Sequence, residues 1–264
     1  MVRRARLDAE LVRRGLARSR EHAAELIAAG RVVAGGQTAG KPATGVDAGT
    51  PVVVIDDAGP SYASRGGHKL AGALDAFGYD PTGKRALDAG ASTGGFTDVL
   101  LQRGAAHVVA VDVGYGQLAW SLQSDERVTV IDRTNVRTLA PDVVGPPVDL
   151  VVADLSFIPL GLVLPALLSC CATDADLLPM VKPQFEVGKE RLPAGGVVRD
   201  PEHRADAVRR VAEQAAGLGL GVRAVTASPL PGPSGNVEYF LWLRADAPPL
   251  DDAVLRAAIQ GGPQ

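Results

Sequence analysis

A chain of 264 residues with 46% hydrophobic and 22% charged residues can bury a substantial core, which excludes a disordered chain and leaves room for one large domain plus a small one. Its formal net charge of −3 argues against a uniformly basic polyanion binder, but residues 1–31 hold eight Arg against four acids, so a basic end precedes an acidic body. The two cysteines, Cys170 and Cys171, are adjacent and have no second pair, which excludes a disulfide framework and a zinc site; they read as small buried residues in a reducing cytoplasm, with no metal expected.

No apolar segment follows Arg3, Arg4 and Arg6, so a signal peptide is not expected. Residues 5–30 read as two short helices. Leu7, Leu11 and Val12 have helical spacing before Gly15; Ser19 then caps a second helix with Ala23, Leu26 and Ile27 on its apolar face, ending at Gly30. Short strands are expected at Arg31–Ala34 and Pro51–Ile55, completing a small α+β module, and Asp56–Tyr62 has the composition of a turn-rich linker.

Beyond a helix at Gly67–Phe77, strands and helices alternate. Strands are expected at Arg85–Ala89, His107–Val113, Val128–Ile131, Asp149–Ala153 and Leu177–Val181. Helices are expected at Gly95–Arg103, Gln117–Leu122, Leu160–Cys171 and Pro201–Leu218. The strands are near-continuous apolar runs, as in a parallel sheet covered on both faces, so the fold class is α/β, doubly wound. The uncharged stretch Leu155–Thr173 is broken by Pro159, Gly161 and Pro165 and reads as a buried loop and helix, not a membrane span. Val222–Ser228 and Glu238–Arg244 flank a Pro/Gly-rich loop and read as a closing antiparallel hairpin; the last ten or so residues are expected to fray.

The loop after the first strand, Asp88-Ala-Gly-Ala-Ser-Thr-Gly-Gly-Phe96, opens a helix, so glycines and helix-start amides face a ligand. It lacks the Gly-Lys-Ser/Thr of a phosphate loop, and Ala91-Ser92 break the dinucleotide pattern. What remains resembles methyltransferase motif I, with Asp88, Gly90, Ala91, Ser92, Gly94, Gly95 and Phe96 as candidate contacts for S-adenosylmethionine (SAM). Asp112 ends the second strand, where a carboxylate suits ribose hydroxyls; Asp132 ends the third, placed for the adenine amine; Asp154 ends the fourth.

A lysine ending a buried strand, Lys182, is costly unless paired or used. Together with Lys69 in Ser64-Arg-Gly-Gly-His-Lys-Leu70, Asp154 and Glu238, it resembles the Lys-Asp-Lys-Glu tetrad of the FtsJ-like ribose 2′-O-methyltransferases. Nearly the whole chain resembles the TlyA (haemolysin A) family of rRNA 2′-O-methyltransferases, above all Ala5–Leu16, Asp88–Thr97, Asp112–Leu118, Val181–Lys189 and Pro229–Phe240. The resemblance implies a class I, Rossmann-like SAM-dependent domain behind an alpha-L (S4-like) RNA-binding module, with boundaries 1–58, 59–63 for the linker, 64–250 for the methyltransferase domain and 251–264 for a tail.

It also implies cytidine ribose methylation of ribosomal RNA within ribosomal subunits, the small one and in some members both. Lys182 would act on the 2′-hydroxyl, Asp154 and Glu238 would hold the two lysines, and Lys69 would orient the ribose or developing oxyanion. Arg6, Arg18, Arg20 and Lys41 suit phosphate contacts, and Arg65, Arg133, Arg137 and Lys189 continue a basic track on the catalytic domain. Val33-Ala-Gly-Gly36 departs from the module's usual Val-x-Val-Asn-Gly. A membrane-active haemolysin and a non-catalytic ribosome assembly factor are the alternatives; the first lacks a spanning or anchoring segment, and the intact tetrad argues against the second. A base methyltransferase would carry Asn/Asp-Pro-Pro-aromatic where Asp154-Leu-Ser-Phe157 stands. Nothing in the residues selects the nucleotide or the oligomeric state.

Overall fold

The computed structural model describes residues 4–54, 62–188 and 190–263. The chain divides into two compact units, Met1–Ser61 and Tyr62–Gln264. Most of the expected linker, and Lys189, lie outside the described residues.

In the first unit, β1 (Ala5–Arg6) leads into α1 (Leu7–Arg13), and α2 (Arg20–Ala28) follows. The Ser19 hydroxyl accepts the His22 N–H at 3.1 Å, so this residue caps α2 as its type implies. β2 (Val32–Ala34) pairs with β3 (Gln37–Thr38) and β5 (Val52–Val54), while β4 (Gly45–Val46) pairs with β1. Gly35 and Gly36, at φ +59° and +83°, form the two-residue turn between β2 and β3, so the unusual Val-Ala-Gly-Gly sequence builds a tight hairpin. Leu7, Leu11, Ala23, Leu26, Ile27 and Val32 fill the small core.

The second unit begins with α3 (Gly66–Phe77) and alternates β6 (Arg85–Ala89), α4 (Gly95–Gln102), β7 (His107–Val111), α5 (Trp120–Gln123), β8 (Val128–Ile131), α6 (Pro141–Val144) and β9 (Val148–Ala153). Then follow α7 (Leu164–Ser169), β10 (Cys171–Val181), α8 (Pro183–Glu186), α9 (Pro201–Ala216), β11 (Gly221–Ala227), β12 (Tyr239–Arg244) and α10 (Asp252–Gln260). The seven strands form one sheet in the order β11-β12-β10-β9-β6-β7-β8. β6 to β10 run parallel, and β12 runs antiparallel to both of its neighbours, β10 and β11. The apolar strand runs are buried because one core layer lies on each face, one including Leu87, Val109 and Val151, the other Leu150, Val152 and Leu178.

Two expectations fail here. The helix expected over Leu160–Cys171 is a 3₁₀ turn at Leu160–Leu162 followed by the short α7, and Cys171 already begins β10. A continuous apolar run without charges does not distinguish a buried helix from a buried strand. The expected frayed end is instead α10: Asp251 accepts the Ala253 and Val254 N–H groups, and Leu255 and Ile259, one turn apart, are buried.

The topology positions the chemistry. All five parallel strands point the same way, so the residues after β6, β7, β8, β9 and β10 emerge along one edge. Chain order reverses between β6 and β9, since β7 lies on one side of β6 and β9 on the other. Open α/β sheets bind ligands at such a switch point.

Candidate active site

A cleft of about 450 Å³ opens at this switch point. Gly90 and Ser92 line it from the loop after β6, Asp112 and Val113 from the end of β7, and Asp154 to Ile158 from the end of β9. Its size suits a small-molecule site. Gly90 has φ +87°, and a Cβ there would come 2.6 Å from the Asp154 carbonyl oxygen, so a side chain would block the approach of the two loops. Ser92, at φ +48°, is held in the same left-handed region. Its N–H donates to Asp112 Oδ2 at 2.8 Å, while the Gly114 N–H donates to Asp112 Oδ1 at 2.7 Å. Each Asp112 oxygen thus has one fixed donor and a further lone pair for a ligand hydroxyl.

The other expected cofactor residues stand behind the wall. Asp88 is fully buried; Thr97 Oγ1 donates to its Oδ2 at 2.7 Å, and its Oδ1 has no hydrogen-bond partner among the described residues. Burial pushes this carboxyl up to about 7, the Thr97 hydrogen bond opposes that, and the carboxylates of Asp154 and Asp112 add to it. Phe96 does not line the cleft as expected: its ring is buried, tilted against Phe240 at 5.9 Å, so it supports the loop from the core. Ala91, Gly94 and Gly95 shape the turn without lining the cleft. Asp132 does not line it either; its carboxylate accepts the Gly116 N–H at 2.9 Å and fastens the segment after β7. Gln117 and Leu155 line it from within segments the sequence singled out, and Thr134, Asn135, Val136 and Ile158 supply wall that no motif announced.

The four candidate catalytic residues form two ion pairs. Lys69 Nζ lies 2.5 Å from Glu238 Oε2, with both side chains buried. Lys182 Nζ lies 2.5 Å from Asp154 Oδ1 and donates to Ser156 Oγ at 3.0 Å. The two pairs are brought near each other by α3, whose first turn faces Asp154: a Cβ on Gly66 would sit 4.0 Å from Asp154 Oδ2. Lys69 is one turn along the same helix face. Glu238 immediately precedes β12, so the antiparallel strand brings its carboxylate under α3. Burying a lysine is unfavourable without a counter-charge, so two such pairs, one of them at the cleft through Asp154, make this a candidate site. Next to them Phe157, at φ +63°, projects a ring that is 90% exposed and lies 5.1 Å from that of Phe185.

The basic residues separate by unit. In the first, Arg6 donates two hydrogen bonds to Asp8, and Arg20 donates a third at 3.0 Å. Asp8 is buried, whereas the Arg6 and Arg20 side chains remain 52% and 58% exposed. One buried carboxylate therefore holds two outward-facing guanidiniums together, which the sequence did not announce; these arginines hold the Asp8 carboxyl far below the usual range, against the effect of burial. Arg18 and Lys41 are exposed in the same unit. In the second unit Arg65 donates to the Pro231 carbonyl at 2.6 Å, Arg133 stacks its guanidinium 4.2 Å from the Tyr115 ring centroid, and Arg137 is exposed. Among the described residues, no helix is long and apolar enough to cross a membrane, and no group of three or more potential ligands clusters as a metal site.

Comparison with known proteins agrees with this geometry. Residues 62–245 match the FtsJ-like methyltransferase family, and residues 5–52 match the S4 domain. The chain is 62% identical to the 16S/23S rRNA (cytidine-2′-O)-methyltransferase TlyA of Mycobacterium tuberculosis, over 99% of this chain and 100% of that one. It is 33% identical to Hemolysin A of Brachyspira hyodysenteriae, over 89% and 98% of the two chains. A solved structure from Streptococcus thermophilus, named as a hemolysin, superimposes with a TM-score of 0.77 at 35% identity, covering 98% of this chain and 96% of that one.

Proposed function

The chain belongs to the FtsJ-like methyltransferase family, in its TlyA branch of rRNA (cytidine-2′-O)-methyltransferases, and from that premise we propose how its residues carry out the reaction. It is a SAM-dependent enzyme that methylates cytidine ribose in ribosomal RNA. The observation that carries the residue assignment is the pair of buried lysine–carboxylate contacts beside the cleft.

The cleft fits the cofactor on two counts: the glycine cradle at Gly90 and the open lone pairs of Asp112. Asp112 would take the ribose hydroxyls, and Val113, Val136 and Ile158 would flank the base. When bound, SAM supplies an electrophilic methyl group on a sulfonium. The chain's part is to present a ribose hydroxyl that is a weak nucleophile near neutral pH. Lys182, held by Asp154, meets that hydroxyl and manages its proton. Lys69, held by Glu238, orients the ribose oxygen. Phe157 offers an open aromatic face beside the reacting lysine on which an unstacked base can rest. Arg6 and Arg20, joined through Asp8, and exposed Arg18 and Lys41 contact phosphates, as do Arg65, Arg133 and Arg137 on the catalytic unit. The substrate is rRNA within ribosomal subunits, and the enzyme works in the cytoplasm where these assemble.

Substituting Lys182→Ala tests the assignment. Methyl transfer from labelled SAM to RNA falls by about a thousandfold or more, while SAM affinity by calorimetry stays within a few-fold. A variant that keeps full activity removes Lys182 from the mechanism.

A further inference from the structure

A lysine nitrogen has three positions beyond its carbon, and the ion pair with Asp154 Oδ1 at 2.5 Å, which lacks hydrogen-bond geometry, holds the charge without fixing the direction of any of them. A flexible four-carbon side chain tethered at one point can still swing its remaining positions away from a substrate. In this chain a second tether exists: Ser156 Oγ lies 3.0 Å from Lys182 Nζ. The hydrogen bond to Ser156 is therefore the directional contact at Nζ: with it made and the Asp154 carboxylate packed alongside, the turning of Nζ is restrained and a free position is left for a substrate.

The backbone around Ser156 is built to hold this hydroxyl in place. At one end the Asp154 N–H donates to the Ala89 carbonyl at 3.0 Å. At the other the Leu160 N–H donates to buried Glu186 Oε1 at 2.8 Å, and Glu186 lies on α8, which starts directly after Lys182. The Asp154–Leu160 and Lys182–Glu186 segments are therefore braced by three rungs: Lys182–Asp154, Lys182–Ser156 and Glu186–Leu160. Immediately after Ser156 the chain bends through the positive φ of Phe157, which sends the ring outward while the serine hydroxyl stays on the lysine. Ser156 itself is exposed on the cleft wall and takes no part in the core.

We propose that Ser156 is a positioning residue for methyl transfer, which aims the free position of Lys182 Nζ at the ribose hydroxyl. The proposal rests on the role assigned to Lys182 above.

Single-turnover methyl transfer at saturating SAM and rRNA, run on the intact chain, tests it with Ser156→Ala and Ser156→Thr. Losing a hydrogen bond to a charged group and the alignment it gives slows Ser156→Ala by about ten- to a hundredfold, with SAM dissociation constant and RNA KM nearly unchanged. Ser156→Thr keeps the hydroxyl and recovers most of the rate. A wild-type rate in Ser156→Ala, equal loss in both variants, or a change confined to SAM affinity would each overturn the proposal. If the unsubstituted chain transfers no methyl group to ribose, the reading of Lys182 fails first and this inference falls with it.

Discussion

Carboxylates hold cations in both units of the molecule, but in opposite surroundings. In the N-terminal unit the acid is buried and the base is exposed: Asp8 lies under Arg6 and Arg20, and Glu10 under Arg13. In the catalytic unit the base is buried, with Lys69 on buried Glu238 and Lys182 on half-buried Asp154. An exposed guanidinium costs little desolvation and keeps donors free for a phosphate, so the first arrangement presents charge to a partner. A buried ammonium costs several kcal/mol and gives nothing to a surface, so the second arrangement serves chemistry inside a cleft. On the proposed reading, the first unit presents charge to RNA and the second uses it on a proton.

The largest expected effect breaks the buried half of this comparison. Replacing Glu238 with Ala leaves Lys69 buried without its counter-charge and destabilises the catalytic unit by roughly 3–5 kcal/mol, read from urea unfolding. A change well under 1 kcal/mol would mean that water already reaches Lys69.

The next effect separates the units by pH. The Asp88 carboxyl, raised to about 7 by burial, keeps its proton in the folded state where the unfolded chain has lost it. Its contribution to stability is full below about pH 4 and is lost as pH rises toward 7. Asp8 and Glu10 are lowered, chiefly by hydrogen bonds from Arg6 and Arg13, so their contribution is present above the ordinary carboxylate range and is lost as pH falls. Urea unfolding followed from pH 2 to 8 shows the opposing slopes, the Asp8 and Glu10 one below about pH 5 and the Asp88 one between about 4 and 7, and Asp88→Asn removes the one that falls with rising pH. An unchanged profile in Asp88→Asn would contradict the assignment.

The smallest effect concerns the exposed arginines. Charge reversal at Arg20 weakens rRNA binding by about tenfold and flattens its salt dependence, leaving SAM affinity as it was, measured by filter binding across a salt series. RNA affinity equal to that of the unsubstituted chain would remove the N-terminal unit from docking.

Much of the frame is legible in the sequence because burial writes itself into composition. Val108–Val111, Leu150–Ala153 and Leu177–Val181 are apolar on both faces and read as central strands, and the carboxylates and lysine that follow them stand out by contrast. The remainder depends on contacts between distant residues. Phe96 belongs to a motif yet packs on Phe240, 144 positions away, and no local pattern announces that partner. Ser156 reads as a loop serine until Lys182 is brought to it by the register of β9 beside β10. Asp8 counts as one acid among arginines, and only the fold shows that it joins two of them. α10 is short, and its two buried residues, Leu255 and Ile259, give too weak a period to outweigh the Pro and Gly around them.

The central claim is that this site methylates a ribose. Incubating the chain with labelled SAM and separate ribosomal subunits, then digesting the RNA to nucleosides, tests it most directly. The account predicts label in 2′-O-methylcytidine, abolished in Lys182→Ala; label on a base, or none in either subunit, would contradict it.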